Sequence, residues 1–107
     1  VVVRGAPILN DVTISDIDEI GITDMVEVID NGDSTPGTCL PNTSTEFQQR
    51  WQEADLILSK GQGNFETLSQ TKEKRIFFML MAKCKIVAQE LDVKLADFLC
   101  IDSTRLA

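Results

Sequence analysis

Residues 55–64, with the sequence DLILSKGQGN, decide the fold of this 107-residue chain. The run Asp55–Ser59 predicts a strand, and a lysine followed by two glycines comes directly after it. An apolar run that passes through a glycine-rich turn into a helical pattern is the strand–loop–helix unit of α/β proteins. The polar residues of the turn then lie at the carboxyl end of the strand, which is the edge where open α/β sheets bind their ligands.

The same alternation extends in both directions from this unit. Further strands are predicted at Val1–Arg4, Met25–Ile29, Arg75–Met81 and Ala96–Ile101. A first helix is predicted after the capping pair of Thr13 and Asp16, and it ends at Gly21. A second is predicted after the capping box at 43–46, and another from Cys84 onward. Continuous apolar strands between helices predict a three-layer α/β/α domain with a mainly parallel, Rossmann-like sheet.

Composition and charge exclude several classes of function. With 43% apolar and 25% charged residues, the chain has the composition of one folded domain, predicted over residues 1–107. Its net charge of −7 disfavours partners such as nucleic acids and anionic membranes. The sequence contains no histidine, which excludes Ser-His-Asp and Cys-His catalysis and histidine-bound zinc.

The cysteines predict the cellular location of the chain, and the first residues predict whether it is part of a longer protein. Cys39, Cys84 and Cys100 are widely spaced, which is typical of free thiols in a reducing cytosol, so a cytoplasmic location is expected. No apolar run approaches the roughly 18–20 residues that span a bilayer. The sequence has no signal peptide pattern. It opens directly in the strand-like run Val1–Arg4, so we expect it to be a piece of a longer protein.

The glycine-rich turn is the strongest candidate for a binding site. Gly61 and Gly63 allow a tight turn whose amides point at one anion, Lys60 supplies charge, and Asn64 is predicted to cap the next helix. Gln62 completes the predicted phosphate-binding set in this turn. A glutamate stands where the third glycine of the dinucleotide-binding motif GxGxxG would be, and this motif is therefore absent. A purely structural strand-to-helix turn is the alternative.

Two further positions extend this candidate site. Lys83 follows the predicted strand Arg75–Met81 and would place a second cation at the same sheet edge. Asn10 and Asp11 follow the first strand, and their oxygens suit a hard divalent cation. Asp11 could equally be a residue that merely precedes the Thr13 cap, and one carboxylate cannot form a metal site alone.

In this order, these segments resemble the domain-of-unknown-function 89 family, the damage-control, acidic-residue-methyltransferase-like, metal-dependent phosphatases. The matching stretches are Arg4–Gly5 with PILNDVT at 7–13, KGQGNFE at 60–66, and AKC at 82–84. The resemblance covers essentially the whole chain. KGQGNFE after a strand is its most specific part.

The resemblance implies hydrolysis of small phosphorylated metabolites with a divalent ion such as Mn²⁺, Co²⁺, Ni²⁺ or Mg²⁺. It implies that Asp11 is a metal ligand and that Asn10 and Asp11 take part in catalysis. Phosphate would be bound by Lys60, Gly61, Gln62, Gly63, Asn64 and Lys83. The family's Asp-Asn metal pair and its helical N-terminal portion are not in this sequence, so the resemblance implies that the chain is the C-terminal part of a larger domain. Asp30-Asn31 lies at a different strand, and the role of the metal pair is not assigned to it.

Other functions stay open at this stage. One is a non-enzymatic α/β module that binds a phosphorylated ligand without hydrolysing it. Another is an S-adenosylmethionine-dependent carboxyl methyltransferase, which the position of the glycine loop after the third strand does not favour. We expect the 107 residues alone to lack phosphatase activity. The unpaired sheet edge expected beside Val1–Arg4 should lead either to self-association or to association with the missing N-terminal portion.

Overall fold

The computed structural model describes residues 1–106, and its strands and helices alternate as the sequence predicts. The chain divides into two compact units, Val1–Glu53 and a second unit that begins at Ala54, and each is described separately. Within the described residues, no helix has the length and apolar character needed to cross a bilayer.

The first unit is built on one short pair of parallel strands. β1 (Val2–Val3) pairs with β2 (Ile29–Asp30), with Val2 opposite Ile29. The unit's two α-helices are α1 (Ile14–Ile20) and α2 (Thr45–Glu53). The predicted second strand, Met25–Ile29, is displaced, because the amides of Met25 and Val26 both donate to the Ile22 carbonyl and continue a 3₁₀ turn. The strand therefore begins only at Ile29.

α1 begins at the capping pair that the sequence indicates, whereas the cap of α2 is Ser44, one residue after the start of the capping box predicted at 43–46. The amide and the hydroxyl of Thr13 donate to the Asp16 carboxylate over 2.9 and 3.1 Å, and α1 ends at Gly21 with φ of 72°. At α2, the Ser44 hydroxyl accepts the Phe47 amide at 3.1 Å. These contacts satisfy donors that the first helical turn leaves unpaired, so local sequence determines where both helices start.

The second unit contains a three-stranded mixed sheet. Its elements are β3 (Ile57–Lys60), α3 (Gln62–Leu68), β4 (Ile76–Met81), α4 (Lys85–Glu90) and β5 (Phe98–Asp102). β3 and β4 are parallel, whereas β4 and β5 are antiparallel. The mainly parallel prediction is therefore correct for β1–β2 and β3–β4 and wrong for β4–β5.

Two residues with left-handed backbone accompany the reversal before β5. Asp92 and Ala96 both have positive φ, 54° and 72°, and turn the chain back after α4. The Ala96 amide donates to the Ala82 carbonyl at 2.8 Å, and the Ala82 amide donates to the Asp97 carbonyl at 2.9 Å. This exchange starts an antiparallel ladder directly beside the end of β4. Non-glycine residues with positive φ are uncommon, so the sequence pattern did not indicate the reversal.

The core of the second unit lies on one face of its sheet. Ile76, Phe78 and Leu80 alternate along β4 and are buried, and the Phe78 ring meets the Phe65 ring of α3 edge-on at 5.2 Å. Leu58, Met79 and Phe98 on the other face are exposed. The α/β class is thus confirmed, whereas a helical layer on both faces of this sheet is not present among the described residues of the unit.

Two isoleucines of the second unit provide a matched test of this core. Ile76 is fully buried and Ile86 on α4 is 76% exposed. We expect Ile76→Ala to lower the free energy of unfolding by about 2–5 kcal/mol, because it leaves a cavity, and Ile86→Ala to change it by less than about 0.5 kcal/mol. Urea denaturation followed by circular dichroism measures both. Equal effects of the two substitutions would contradict the assignment of the core.

Candidate functional site

The turn after β3 depends on the backbone of one glycine. β3 ends at Lys60, and Gly61 adopts φ of 99° and ψ of 154° before α3 begins at Gln62. A Cβ at Gly61 would meet no atom within 4 Å, so space does not require the glycine. Its dihedral angles lie in a region that essentially only glycine adopts, and they turn the chain from the strand into the helix.

Gln62 holds this turn against the loop that follows β4. Its side-chain oxygen accepts the Lys83 amide at 2.8 Å. Its side-chain nitrogen donates to the Glu66 carboxylate at 3.0 Å and to the Cys84 sulfur at 3.7 Å. The predicted phosphate-binding residues 60–64 and Lys83 are therefore brought together at the carboxyl edge of two parallel strands. Sequence reasoning placed these loops side by side but did not identify Gln62 as the residue that connects them.

Asn64 and Gly63 have different positions from those predicted. Both lie within α3, and the residue that precedes the helix as its cap is Gly61. The predicted capping role of Asn64 is therefore wrong. Its side-chain amide instead donates to the Lys60 carbonyl at 2.8 Å, one turn earlier. This bond braces the end of β3, because it holds the strand's last carbonyl to the new helix.

Two cations and one carboxylate lie at this sheet edge. Lys60, the last residue of β3, and Lys83, in the loop after β4, are both exposed, and the Glu66 carboxylate accepts the Gln62 side chain at 3.0 Å. α3 has only seven residues, and the amides of Gly61 and Lys83 already donate to Met79 and Gln62, so any attraction for an anion would rest mainly on the two lysines. Cys84 is half-buried and precedes α4 as its cap. It is a packing residue here, in line with the absence of histidine from the sequence.

Asp11, in the first unit, is held by a buried arginine. Arg4 Nη2 lies 3.1 Å from Asp11 Oδ2, and Arg4 Nη1 donates to the carbonyls of Thr35 and Gly37 at 2.8 and 2.5 Å. The Asp11 side chain keeps 46% of its surface exposed, and Asn10 beside it is exposed. The Arg4 guanidinium therefore connects the segment that carries Asp11 with the loop at 31–43.

Sequence reasoning treated Arg4 as the end of a strand and as part of the matching stretch Arg4–Gly5, and it assigned no contacts to the side chain. Its signal was available, because a cation directly after three valines has to find partners when the strand is buried. The Nε atom of Arg4 is buried and has no hydrogen-bond partner among residues 1–106. Arg4 is thus the main charged residue in the interior of the first unit.

The loop that Arg4 contacts is organised by two polar side chains. The Asn31 side-chain oxygen accepts the amides of Gly5 and Asp33 at 3.1 and 3.0 Å. The Thr35 hydroxyl donates to the Asp33 carboxylate, and this bond lowers the pKa of Asp33. Asn31 is buried, and its side-chain oxygen is already used by these two amides.

The described residues do not form a complete metal site. In residues 1–106, no group of three or more cysteine, aspartate or glutamate side chains lies close enough to hold an ion. Asp11 supplies one carboxylate, and divalent cations such as Mg²⁺ and Mn²⁺ take about six oxygen ligands. The described residues therefore supply at most a part of the ligands that such an ion needs.

The comparison with known proteins bears on these residues directly. A family model described as the damage-control phosphatase ARMT1-like domain matches residues 1–99, which include every candidate site residue. The chain belongs to this family. A damage-control phosphatase of Pyrococcus horikoshii is 44% identical over 98 residues, and one of Archaeoglobus fulgidus is 39% identical over 98 residues.

The similarity concerns only part of those relatives. The matched region covers 92% of this chain but 34% of the Pyrococcus horikoshii protein, and 90% of this chain but 34% of the Archaeoglobus fulgidus protein. A crystal structure of a DUF89 family protein from Pyrococcus horikoshii superposes with a TM-score of 0.89 at 41% identity, over 95% of this chain and 36% of that one. The chain thus spans about a third of the length of these relatives.

Two glycines in the turn after β3 provide a matched test of its geometry. We expect Gly61→Ala to lower the free energy of unfolding by about 1–3 kcal/mol, because alanine is strained at the dihedral angles of Gly61. Gly63→Ala lies in a helix and should be neutral or stabilising by up to about 1 kcal/mol. Urea denaturation measures both. A Gly61→Ala protein as stable as the Gly63→Ala protein would contradict the strained turn.

Proposed function

We propose that this chain is the phosphate-binding part of a metal-dependent phosphatase that hydrolyses small phosphorylated metabolites. One observation carries the proposal: Gln62 joins the loops after β3 and β4, so that Lys60 and Lys83 flank one edge of the sheet. The naming of the relatives as damage-control phosphatases supports the class of reaction. The substrate itself is proposed only as a phosphorylated metabolite.

The proposed role of the loop is to position and neutralise the phosphoryl group. Phosphoryl transfer places negative charge on the oxygens around phosphorus, and preorganised donors stabilise that charge without having to reorganise. Lys60 and Lys83 supply two positive charges at the same sheet edge. The Gln62 bridge fixes the spacing of the two loops before a ligand arrives, which reduces the entropy lost on binding.

We propose that Asp11 contributes one ligand to a divalent cation, with Mn²⁺, Co²⁺, Ni²⁺ and Mg²⁺ as candidates. Such an ion, when bound, would polarise a phosphate oxygen. Asn10 is proposed beside Asp11 because its carboxamide oxygen suits the same ions. The other ligands would come from outside residues 1–106, since the described residues hold no cluster for an ion. The Arg4 ion pair orients the Asp11 carboxylate and leaves much of its surface accessible.

A second candidate function is phosphate-ligand binding without hydrolysis. It is favoured by one asymmetry: the candidate anion loop is complete within this chain, whereas the candidate metal site is not. Ligand binding without metal-dependent hydrolysis in a protein of the relatives' full length would support this second function.

The lysines of the loop can be tested by binding of inorganic phosphate in a protein of the relatives' full length. We expect Lys60→Ala and Lys83→Ala each to weaken phosphate binding about tenfold to a hundredfold, because each removes a charge-assisted contact. Lys74→Ala is the control, since Lys74 is also exposed but precedes β4, at the opposite end of that strand. Isothermal titration calorimetry measures all three. Equal affinities for the three variants would contradict the assigned loop.

Asp11 can be tested in the same full-length protein. We expect Asp11→Asn to reduce Mn²⁺-dependent hydrolysis of p-nitrophenyl phosphate by at least about a hundredfold and to weaken Mn²⁺ binding, because a charged ligand is lost. The control is Asp18→Asn, an exposed carboxylate on α1. Thermal melts establish that both variants are folded. Unchanged hydrolysis by a folded Asp11→Asn protein would show that Asp11 is not a metal ligand.

A further inference from the structure

The sheet of the second unit has an apolar face that stays exposed. Side chains opposite one another in the ladder share a face, and the register pairs Leu58 with Phe77, Met79 with Cys100 and Met81 with Phe98. We call these six residues the open face. Phe98 is 84% exposed, Leu58 63% and Met79 37%.

An open face of this composition is unusual for a surface. A sheet face in contact with water normally carries polar residues between the apolar ones, whereas six of the eight positions that the register places on this face are apolar or cysteine. The other two, Lys60 opposite Met79 and Asp102 opposite Phe77, are the last residues of β3 and β5. Contiguous exposed apolar surface of this kind marks a site of contact with other protein.

The edge of the same sheet is also free. The amides of Ile57 and Gly61 donate to the Arg75 and Met79 carbonyls, so these residues direct their backbone toward β4. The backbone groups of Leu58 and Lys60 alternate with them and point to the other edge. No strand of residues 1–106 pairs with β3 on that edge. Leu58 therefore belongs both to the open face and to an edge that can accept a strand.

The length of the relatives supplies a candidate occupant for this surface. The solved structure of the Pyrococcus horikoshii protein has the same fold over the matched region, with a TM-score of 0.89, and about two-thirds of that chain lies outside the region. That is ample chain to pack on one sheet face. A second copy of this chain is less suited, because the net charge of −7 on each copy opposes close association.

We propose that, in a protein of the relatives' full length, the chain outside the matched third packs on the open face and pairs with the free edge of β3. The open face and its edge form one docking surface within a single polypeptide. This inference does not depend on the proposed phosphatase activity, because it rests on exposure, register and the length of the relatives.

Photo-crosslinking in the full-length protein tests the proposal directly. The photoreactive residue p-benzoylphenylalanine replaces Phe98, and mass spectrometry identifies the crosslinked peptides. We expect crosslinks to peptides outside the 107 residues, within one polypeptide. The same residue at Ile86, which is exposed on α4, is the control. Crosslinks only within the 107 residues, only between two copies, or none at position 98 would overturn the proposal.

Cys100 provides a second readout that needs no substitution in the sheet. It is exposed in this chain, so it reacts freely with a maleimide unless something covers the open face. In the full-length protein we expect Cys100 to react at least about a hundredfold more slowly than in urea. Peptide mapping separates it from the other cysteines. Labelling at the rate found in urea would overturn the proposal, as would protection that disappears when the protein is diluted to a monomer.

Stability of two full-length variants completes the test. We expect Phe98→Ala to lower the thermal midpoint by about 6 °C or more, because a large side chain would leave a buried site, and Ile86→Ala to leave it unchanged. If Phe98→Ala prevents folding, the conservative Phe98→Leu should fold with an intermediate midpoint. Equal midpoints for Phe98→Ala and Ile86→Ala would overturn the proposal.

Discussion

The parallel pairing of β3 with β4 is the constraint on which the candidate phosphate site depends. Parallel strands bring the loops after both strands to one edge, and the register sets Lys60 opposite Met79, near the end of β4. Gln62 then closes the short remaining distance by accepting the Lys83 amide at 2.8 Å. The hydrogen bond from the Lys83 amide to the Gln62 side chain thus holds together the two loops that carry the lysines. It costs little desolvation free energy, because neither lysine side chain has to be buried.

The buried Arg4 has the corresponding role in the first unit. A guanidinium has five donor hydrogens in a fixed plane, so it can contact several groups at once. Arg4 contacts the Thr35 and Gly37 carbonyls and the Asp11 carboxylate, and it joins the segment after β1 with the loop after β2. Gly5 is required beside it, since a Cβ there would lie 2.6 Å from the Asp33 amide nitrogen. A loop with little regular structure is thereby held in one conformation.

Neither unit is complete as an isolated layer of structure. β1 and β2 form a sheet of only two short strands, and the sheet of the second unit leaves one apolar face exposed. Two-stranded sheets are marginal without further packing, and large apolar faces are normally covered. Both features agree with a chain that spans about a third of the length of its relatives.

Sequence alone determined the α/β class, the capping of α1 by Thr13 and Asp16, and the placement of residues 60–64 at the end of a strand. These features are local, because a cap or a strand–glycine–helix pattern is specified by residues close together in sequence. The reversal of β5 and the side-chain bridge of Gln62 depended on tertiary structure. The Ala96 amide pairs with the Ala82 carbonyl of the neighbouring strand end, and Gln62 contacts a residue 21 positions away. Strand direction and long-range contacts of this kind are decided by packing, which no local pattern specifies.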